Sequence, residues 1–286
     1  MYGWTDGADC AAARPTSTFM GTSTMLTLDQ YAGKYEFIRF ERRDGILQVT
    51  FHTEGNSMRW NLKTHAELPS AFADIAQDRD NRIVILTGTG SEFSGPPAGS
   101  QSQFWETCPT IKHLDKVHWE GRALLMNLLS IEVPMITALN GPAWRHAEFP
   151  LLSDIVLASD TTKIQDSGHF INNMAPGDGM HVVFPMLLGM NRGRYFLLTG
   201  QVLDARQSLE LGLVSEVLPQ DKVLDRAWEL ARDMAKRPTL LLRYSRLLLV
   251  EHMRKRMQEL LGYGLGMESL AILGAYEERT GKPAVQ

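Results

Sequence analysis

The chain has 286 residues, of which 44% are hydrophobic and 22% are charged, and its formal net charge is -4. This is the composition of an ordinary globular protein, long enough for one large domain or for one domain with a small appendage. The charges form neither the basic block of a nucleic-acid-binding protein nor the polybasic helix of a membrane-surface protein. No apolar run reaches the roughly 18 residues of a membrane-spanning helix. Cys10 and Cys108 are too few and too far apart for a disulfide framework, which favours a cytoplasmic location.

The first part of the chain predicts a tail, a hairpin and a helix. Residues 1–30 are rich in Ala, Ser, Thr and Gly and lack the pattern of a secretory signal, so they are predicted to be a flexible tail. Strand-like runs at 36–42 and 46–53 flank an Arg-Asp-Gly turn and predict a hairpin. A helical pattern follows over 63–77, in which Pro69 is expected either to lie in the first turn or to break the helix.

Strands then alternate with helices. Three apolar runs and a later short one predict strands, at 82–88, from 133 to about 139, at 154–159 and at 213–219. Helical patterns cover 114–130, 179–188, 204–212 and the stretch from 221 to about 278, which is interrupted at Pro238. Such alternation predicts an α/β fold with parallel crossovers. We expect a core domain over 31–220 and a C-terminal helical region over 221–286 that forms a cap or an assembly surface.

One loop combines a histidine and an aspartate. The stretch QDSGHFINNMAPGDG, residues 165–179, carries His169 and Asp178 among Gly, Pro and Asn residues, which turn the chain sharply. Loops held on a rigid scaffold commonly carry chemistry. The two side chains are therefore interpreted either as polar caps of the next helix or as a pair that activates a water molecule.

Several other kinds of site are disfavoured. The eight histidines form no His-Glu-x-x-His motif and no Cys pair has zinc spacing, so no metal is expected. The Gly-Thr-Gly after the strand at 82–88 lacks the continuation of a dinucleotide-binding loop or of a P-loop. No Gly-x-Ser-x-Gly elbow is present, which argues against a serine hydrolase of the α/β-hydrolase type. We expect no cofactor.

Four stretches match a family pattern in the right order. They are GTGSEFSG at 88–95, IEVPMITALNGP at 131–142, APGDG at 175–179 and LLTGQVLDARQSLELGLVSEVLP at 197–219. Together they resemble the crotonase (enoyl-CoA hydratase/isomerase) superfamily over about residues 35–275. The resemblance implies a spiral of ββα units, assembly as a homotrimer or a dimer of trimers, and an oxyanion hole of two backbone N–H groups that stabilises an enolate.

The chain departs from that pattern at the places that carry catalysis. Pro96 and Pro97 stand where one N–H donor is expected, and proline has no N–H. The segment 144–146, Trp-Arg-His, replaces a run of glycines that would supply the second donor. His169 replaces a glutamate that serves many hydratases as acid and base, and Asp178 replaces a small residue. These departures indicate that the backbone oxyanion hole has been lost.

The same departures resemble 6-oxocamphor hydrolase and related β-diketone hydrolases, which cleave a C–C bond between two carbonyls by a retro-Claisen reaction. Matching features include HTEGNSMRW, RHAEFPLLSDIVLA, QDSGHF and NRGRYFLLTGQ. The resemblance implies a small diketone as substrate, no nucleic acid or membrane as partner, and site positions at Trp60, His65, His146, His169, Asp178 and Glu268.

The resemblance also implies roles for these residues. Neutral His169 would take a proton from water, while Asp178 on its other ring nitrogen fixes the tautomer. His146 and Trp60 would replace the lost N–H donors, and Glu268 would hold the water or deliver a proton to the enolate carbon.

Some of these residues have other interpretations. Trp60 is equally compatible with core packing. For His65 a packed or solvated helix position is favoured, whereas for Glu268 a surface helix position is the lesser alternative. Glu148 nearly aligns with a second hydratase glutamate, but a structural role is favoured. Two alternatives to diketone hydrolysis remain: an acyl-CoA hydratase or isomerase, and an inactive scaffold that serves in assembly or RNA binding.

Overall fold

The structure, a computed structural model, describes residues 25–99 and 109–284. Its strands, numbered in chain order, are β1 Ile38–Arg43, β2 Ile46–Phe51, β3 Met58–Arg59, β4 Ile83–Gly88, β5 Ser94–Gly95, β6 Met135–Leu139, β7 Ile155–Ser159, β8 Lys163–Ile164, β9 Leu203–Asp204 and β10 Glu216–Leu218. Its helices are α1 Leu28–Tyr31, α2 Leu62–Gln77, α3 Ile111–Leu128, α4 Glu148–Leu151, α5 Met180–Leu188, α6 Met190–Thr199, α7 Ala205–Glu210, α8 Val223–Met234 and α9 Thr239–Thr280.

A six-stranded sheet with the order β1-β2-β4-β6-β7-β10 forms the centre of the fold. Only β1 and β2 are antiparallel, because a tight turn joins them, and the other neighbouring pairs are parallel. Buried side chains on one face pack against α2, α3 and α9, and those on the other face pack against α8. The predicted α/β fold with parallel crossovers, a hairpin and a C-terminal helical region is confirmed.

Two short sheets lie beside the main one. Strands β3 and β5 pair in parallel, and β8 pairs with β9 in antiparallel fashion. Bridges from Ala143 to Ser94 and to Ile164 join the two short sheets. This second layer fixes the loops after β3, β5, β6 and β8, which carry most of the candidate site.

Pro69 does not interrupt α2. The helix runs unbroken from Leu62 to Gln77 with Pro69 in its interior and buried, so the expectation of a first-turn proline or a helix break is wrong. Two contacts support the helix around it. Asn61 caps the N-terminus by accepting from the backbone N–H groups of Lys63 and Thr64, and Asn127 of α3 donates its amide to the Pro69 carbonyl at 2.9 Å. Tertiary packing on α3 therefore outweighs the local cost of the proline.

The short strands and α6 are absent from the sequence prediction. A two-residue strand has no alternation to detect, and α6 carries exposed apolar residues such as Tyr195 and Leu198 that blur its pattern. The tail predicted over 1–30 overlaps α1, whose Tyr31 is buried and donates to Asp78 at 2.9 Å. Residues 1–24 of that prediction lie outside the described residues. None of the helices in the described part is long and apolar enough to cross a membrane.

Candidate active site

Three helices and two connecting segments surround a small cavity of about 60 Å³. The segment after β8 supplies His169 and Asp178, the segment after β6 supplies His146, α2 supplies His65 and α9 supplies Glu268. Its full lining is His65, Val117, Arg145, His146, Gly168, His169, Met174, Asp178, Leu265 and Glu268. Five of the six site residues predicted from sequence therefore meet at one cavity.

Each of the three cavity histidines places its Nδ1 atom against a buried carboxylate. The pairs are His169 with Asp166 at 2.7 Å, His146 with Glu148 at 2.9 Å, and His65 with Glu120 at 2.9 Å. An ionised carboxylate only accepts hydrogen bonds, so each Nδ1 carries a proton and Nε2 is the nitrogen free for chemistry. The three contacts thus define three imidazole–carboxylate pairs, each with a proton on Nδ1.

Asp178 lies between two of these imidazoles. Its Oδ2 is 3.0 Å from His146 Nδ1 and 3.2 Å from His169 Nε2, yet neither contact has hydrogen-bond geometry. Glu268 Oε1 lies 3.8 Å from the same His169 Nε2. Both carboxylates are buried and keep acceptor oxygens without a partner among the described residues. A water molecule or a polar substrate group would satisfy such oxygens.

The position of Asp178 differs from the one expected. The sequence prediction has Asp178 on the ring nitrogen remote from the water, whereas the structure places Asp178 at Nε2 and Asp166 at Nδ1. The reason is local. Asp166 lies three residues before His169, and one tight turn brings its carboxylate to His169 Nδ1. Asp166 is the functional neighbour that the sequence reasoning missed.

The charge of His146 is set by its two carboxylate neighbours. Burial opposes the charged form, but Glu148 and Asp178 outweigh it and raise the pKa of His146 to about 10. Burial raises the pKa of Glu148 above its ordinary value, with His146 acting against the rise. His146 is therefore an imidazolium at neutral pH, and its Nε2–H is a charged donor available to a substrate oxygen.

His169 is also held in its charged form. Burial acts against the charge, but Asp166 and Asp178 together raise the pKa of His169 well above its ordinary value. Burial would raise the pKa of Asp178, yet His169 and His146 hold it well below its ordinary range. The sequence analysis assumed an imidazole that is neutral near pH 7; the two carboxylates shift that equilibrium, so the neutral base becomes abundant only at higher pH.

Glu268 is the one carboxyl of the cavity that favours its protonated form. The side chain is 6% exposed, although its helix α9 is largely solvent-facing. Burial raises the pKa of Glu268 to about 8, with His169 opposing the shift and Asp178 adding to it. A neutral carboxylic acid beside His169 can deliver a proton, as the prediction for this residue requires.

Trp60 lies behind His146 rather than along the cavity wall. Its ring centroid is 3.9 Å from that of His146, and its buried indole N–H has no acceptor among the described residues. Two nearby backbone donors are already used: Trp144 N–H donates to Ser94 O at 2.8 Å, and Ser94 N–H donates to Pro142 O at 3.2 Å. The side-chain N–H group of His146 is available to a developing oxyanion in their place.

His146 has an unusual backbone. Its φ angle is +51°, in the left-handed region that non-glycine residues adopt rarely. The turn aims the imidazole into the cavity and starts α4, which buries Glu148 completely. Local strain of this kind clusters at functional sites.

The loop of Asp178 touches α9 backbone to backbone. A Cβ added at Gly177 would overlap the Gly264 carbonyl and crowd Glu268, and a Cβ added at Gly264 would overlap the Gly177 carbonyl and the His181 ring. The absence of side chains at both positions lets Asp178 approach Glu268. The contact couples the loop and the helix that carry the two carboxylates.

We expect Gly264→Ala to displace this loop, because the added methyl group meets a backbone carbonyl that cannot move away without the chain. Activity should fall strongly in a protein that still folds. Gly262→Ala and Gly266→Ala are matched controls on the same helix, since nothing lies within 4 Å of their added Cβ. Alanine favours helices, so the controls should gain up to about 1 kcal/mol in unfolding free energy. Equal activity for Gly264→Ala and its controls would show that this contact does not position Asp178.

The sequence signals for the missed residues are weak. Asp166 stands three residues before a predicted catalytic histidine, a spacing that a search for short His–carboxylate pairs would find. Glu120 lies 55 positions from His65 along the chain, and only the packing of α2 on α3 brings the two together. Glu148 was interpreted as structural, and the structure places it against His146.

Among residues 25–99 and 109–284, two groups of three side chains have ligand atoms within 4.8 Å of one another, namely His146, Glu148 and Asp178, and His169, Asp178 and Glu268. Pairing between imidazolium and carboxylate produces the same spacing. The expectation of no metal stays a prediction.

A family model described as enoyl-CoA hydratase/isomerase matches residues 41–269. The chain belongs to the enoyl-CoA hydratase/isomerase family. Within this family, a probable enoyl-CoA hydratase of Mycobacterium bovis is 29% identical over 204 residues, covering 68% of this chain and 69% of its own length. The 1,2-epoxyphenylacetyl-CoA isomerase of Escherichia coli is 27% identical over 205 residues, covering 71% of this chain and 78% of its own length.

A solved structure of the family is more similar than these relatives. It is a β-diketone hydrolase from the cyanobacterium Anabaena, bound to (S)-3-oxocyclohexyl acetic acid, with 46% identity and a TM-score of 0.80. The match covers 85% of this chain and 96% of that one. An enoyl-CoA hydratase/isomerase from Mycobacterium paratuberculosis, at 22% identity, TM-score 0.75 and coverage of 83% and 94% respectively, shows the shared fold.

Proposed function

We propose that the protein hydrolyses a C–C bond between the two carbonyls of a β-diketone, without a cofactor. The observation that carries this proposal is the cavity itself, where imidazoles backed by buried carboxylates occur in place of backbone oxyanion donors. The 46% identity to a β-diketone hydrolase supports the same substrate class. The keto acid bound to that protein is of the chemical class that cleavage of a cyclic β-diketone yields.

The proposed reaction begins with water. Neutral His169 accepts one proton from a water molecule through Nε2, and the water oxygen forms a bond to one carbonyl carbon. The bond from this carbon to the central carbon then breaks, and its electron pair forms an enolate with the second carbonyl. Glu268 delivers a proton to the enolate carbon and regains one from His169, and the products are a carboxylic acid and a ketone within one molecule when the substrate is cyclic.

The charged intermediates need donors, and His146 suits this role. Its imidazolium offers Nε2–H where a carbonyl oxygen becomes negative, and removing one such donor typically costs about 3 kcal/mol of transition-state stabilisation. Trp60 holds the His146 ring and has a free indole N–H. Asp178, with two unpartnered oxygens, would hold the water against His169 Nε2.

The purified protein should be incubated with monocyclic and bicyclic 1,3-diketones, and the loss of their ultraviolet absorbance should be followed. We expect turnover of at least one cyclic diketone and a keto acid as product. The curated relatives act on CoA thioesters by name, so calorimetric titration with CoA thioesters is the contrasting arm. Thioester binding and turnover without any diketone turnover would replace the proposal by a hydratase or isomerase activity.

Assembly and location are part of the proposal. We propose a homotrimer or a dimer of trimers in the cytoplasm, with a small-molecule diketone as the ligand. Exposed apolar residues on α9, including Leu241, Leu248 and Leu249, suit an assembly surface. Sedimentation of the full chain would measure its oligomeric state.

A further inference from the structure

We infer that Asp166 is a positioning residue that fixes the tautomer and orientation of the His169 imidazole, which leaves Asp178 free to act at the water. This inference rests on the proposed function, because it names the partner that prepares the proposed base. Neither the family pattern nor the departures from it single out Asp166.

The geometry of Asp166 is that of a bound orienting group. Its Oδ1 lies 2.7 Å from His169 Nδ1 and also accepts the backbone N–H groups of Gly168 and His169, both at 3.2 Å. Asp166 is buried, so no bulk water competes for the contact. The two backbone hydrogen bonds therefore fix the carboxylate independently of its contact with the imidazole.

The segment around Asp166 is anchored on both sides. Gln165 N–H donates to Ala143 O at 3.3 Å, Ser167 N–H donates to Trp144 O at 2.9 Å, and the Ser167 hydroxyl donates to Pro96 O at 2.8 Å. These contacts tie the segment to the short sheets beside β6. Asp166 therefore lies in a segment that is held on both sides, and its contact with Nδ1 fixes the position of the His169 ring.

The alternative is a purely local turn. An aspartate that accepts two backbone N–H groups stabilises a loop whether or not an imidazole is near. The two roles differ in consequence. Only the positioning role makes the tautomer and the pKa of His169 depend on residue 166, because a local turn needs no more than an oxygen that accepts the two backbone N–H groups.

The environment of His169 determines what the charge of Asp166 does. The titratable or charged groups that face His169 or Asp166 are Asp178, Glu268, His146 and Arg145. Among the influences that raise the pKa of His169, Asp166 is the largest. Loss of its charge should lower the pKa of His169, so the neutral base becomes abundant at a lower pH.

Two variants separate charge from orientation. Asp166→Asn keeps an oxygen for the two backbone N–H groups and for Nδ1–H but removes the charge, whereas Asp166→Ala removes both. Asp160→Asn is the control, since Asp160 is an exposed aspartate in the same stretch of chain. The pH profiles of kcat and kcat/KM on a diketone should be measured for all three, together with the 15N NMR signals of His169.

We expect Asp166→Ala to lower kcat by about 10–100-fold with little change in KM, which is less than the roughly 10⁴-fold loss when the orienting aspartate of a serine-protease triad is replaced, because Asp178 still contacts the His169 ring. We expect Asp166→Asn to retain more activity and to move the rising limb of its kcat/KM profile down by about 1 pH unit or more. The NMR signals should show Nδ1–H in neutral His169 of the wild-type protein and a mixed tautomer in Asp166→Ala. The control should match the wild type.

Profiles and NMR signals that stay unmoved in both variants would overturn the inference, even if the variants are less stable. Failure of the proposed function is a separate outcome. In that case the wild-type protein cleaves no diketone, and the NMR titration of His169 still decides whether Asp166 sets its tautomer and pKa.

Discussion

Replacement of His169 by alanine is expected to lower kcat/KM on a cyclic β-diketone by about 10²–10⁴-fold, the range that general-base assistance supplies. The wild-type activity should rise with pH as His169 loses its proton, and fall again as Glu268, whose pKa is about 8, loses the proton that it has to deliver. The rise with pH follows from the raised pKa of His169. The base must be neutral, and Asp166 and Asp178 favour its protonated form. Steady-state kinetics over a range of pH would measure both effects.

His252→Ala provides the matched control, since His252 is an exposed histidine on α9 outside the cavity. It should leave kcat/KM and its pH dependence unchanged. If His169→Ala kept more than a tenth of the wild-type activity in a folded protein, His169 would not be the base, and a water held by Asp178 and Glu268 alone would have to be considered.

Replacement of Arg246 by methionine is expected to destabilise the fold by about 1–3 kcal/mol, because the buried Ile131 carbonyl loses its donor and the Asp154 carboxylate loses its charged partner. Arg246 is only 1% exposed. It donates to Asp154 at 2.6 Å and to the Ile131 carbonyl at 2.7 Å, and so fastens α9 to the ends of the central strands. Urea denaturation followed by circular dichroism would measure the change.

The same helix offers a control for this prediction. Arg256 forms an ion pair with Glu259 at 3.0 Å, and both side chains are well exposed. An exposed pair contributes about 0–1 kcal/mol, so Arg256→Met should barely shift the unfolding midpoint. Equal effects of the two substitutions would contradict the view that Arg246 anchors α9. Because α9 carries Glu268, Arg246→Met should also weaken activity as the helix loosens.

Much of the fold could be predicted because its signals are local. The strand at 83–88 is a short apolar run, and α7 begins at a capping aspartate, Asp204, and is followed by Gly212 with a φ of +75°. Pro69 shows the limit of such signals. Its effect on α2 depends on packing against α3 through Asn127, which no local rule contains.

The residues of the candidate site could also be predicted from the sequence, but their pairing could not. Trp60, His65, His146, His169, Asp178 and Glu268 were found from residue types at family positions. The structure brings five of them to one cavity, and the Trp60 ring contacts the His146 ring at a tilt. Which carboxylate serves which imidazole could not be predicted. Asp178 is nine positions from His169 and Asp166 only three, and the choice of ring nitrogen depends on how each reaches the ring.

The sequence by itself determined the α/β class, the loss of backbone donors at Pro96 and Pro97, and the set of ionisable residues available for chemistry. These features follow from side-chain type and from short-range backbone preferences. Only the tertiary structure decided the pairing of those residues, the protonated state favoured by Glu268 and the charge on His146 and His169. Charge states depend on burial and on atoms a few ångströms away, and those neighbours come from segments far apart in the chain.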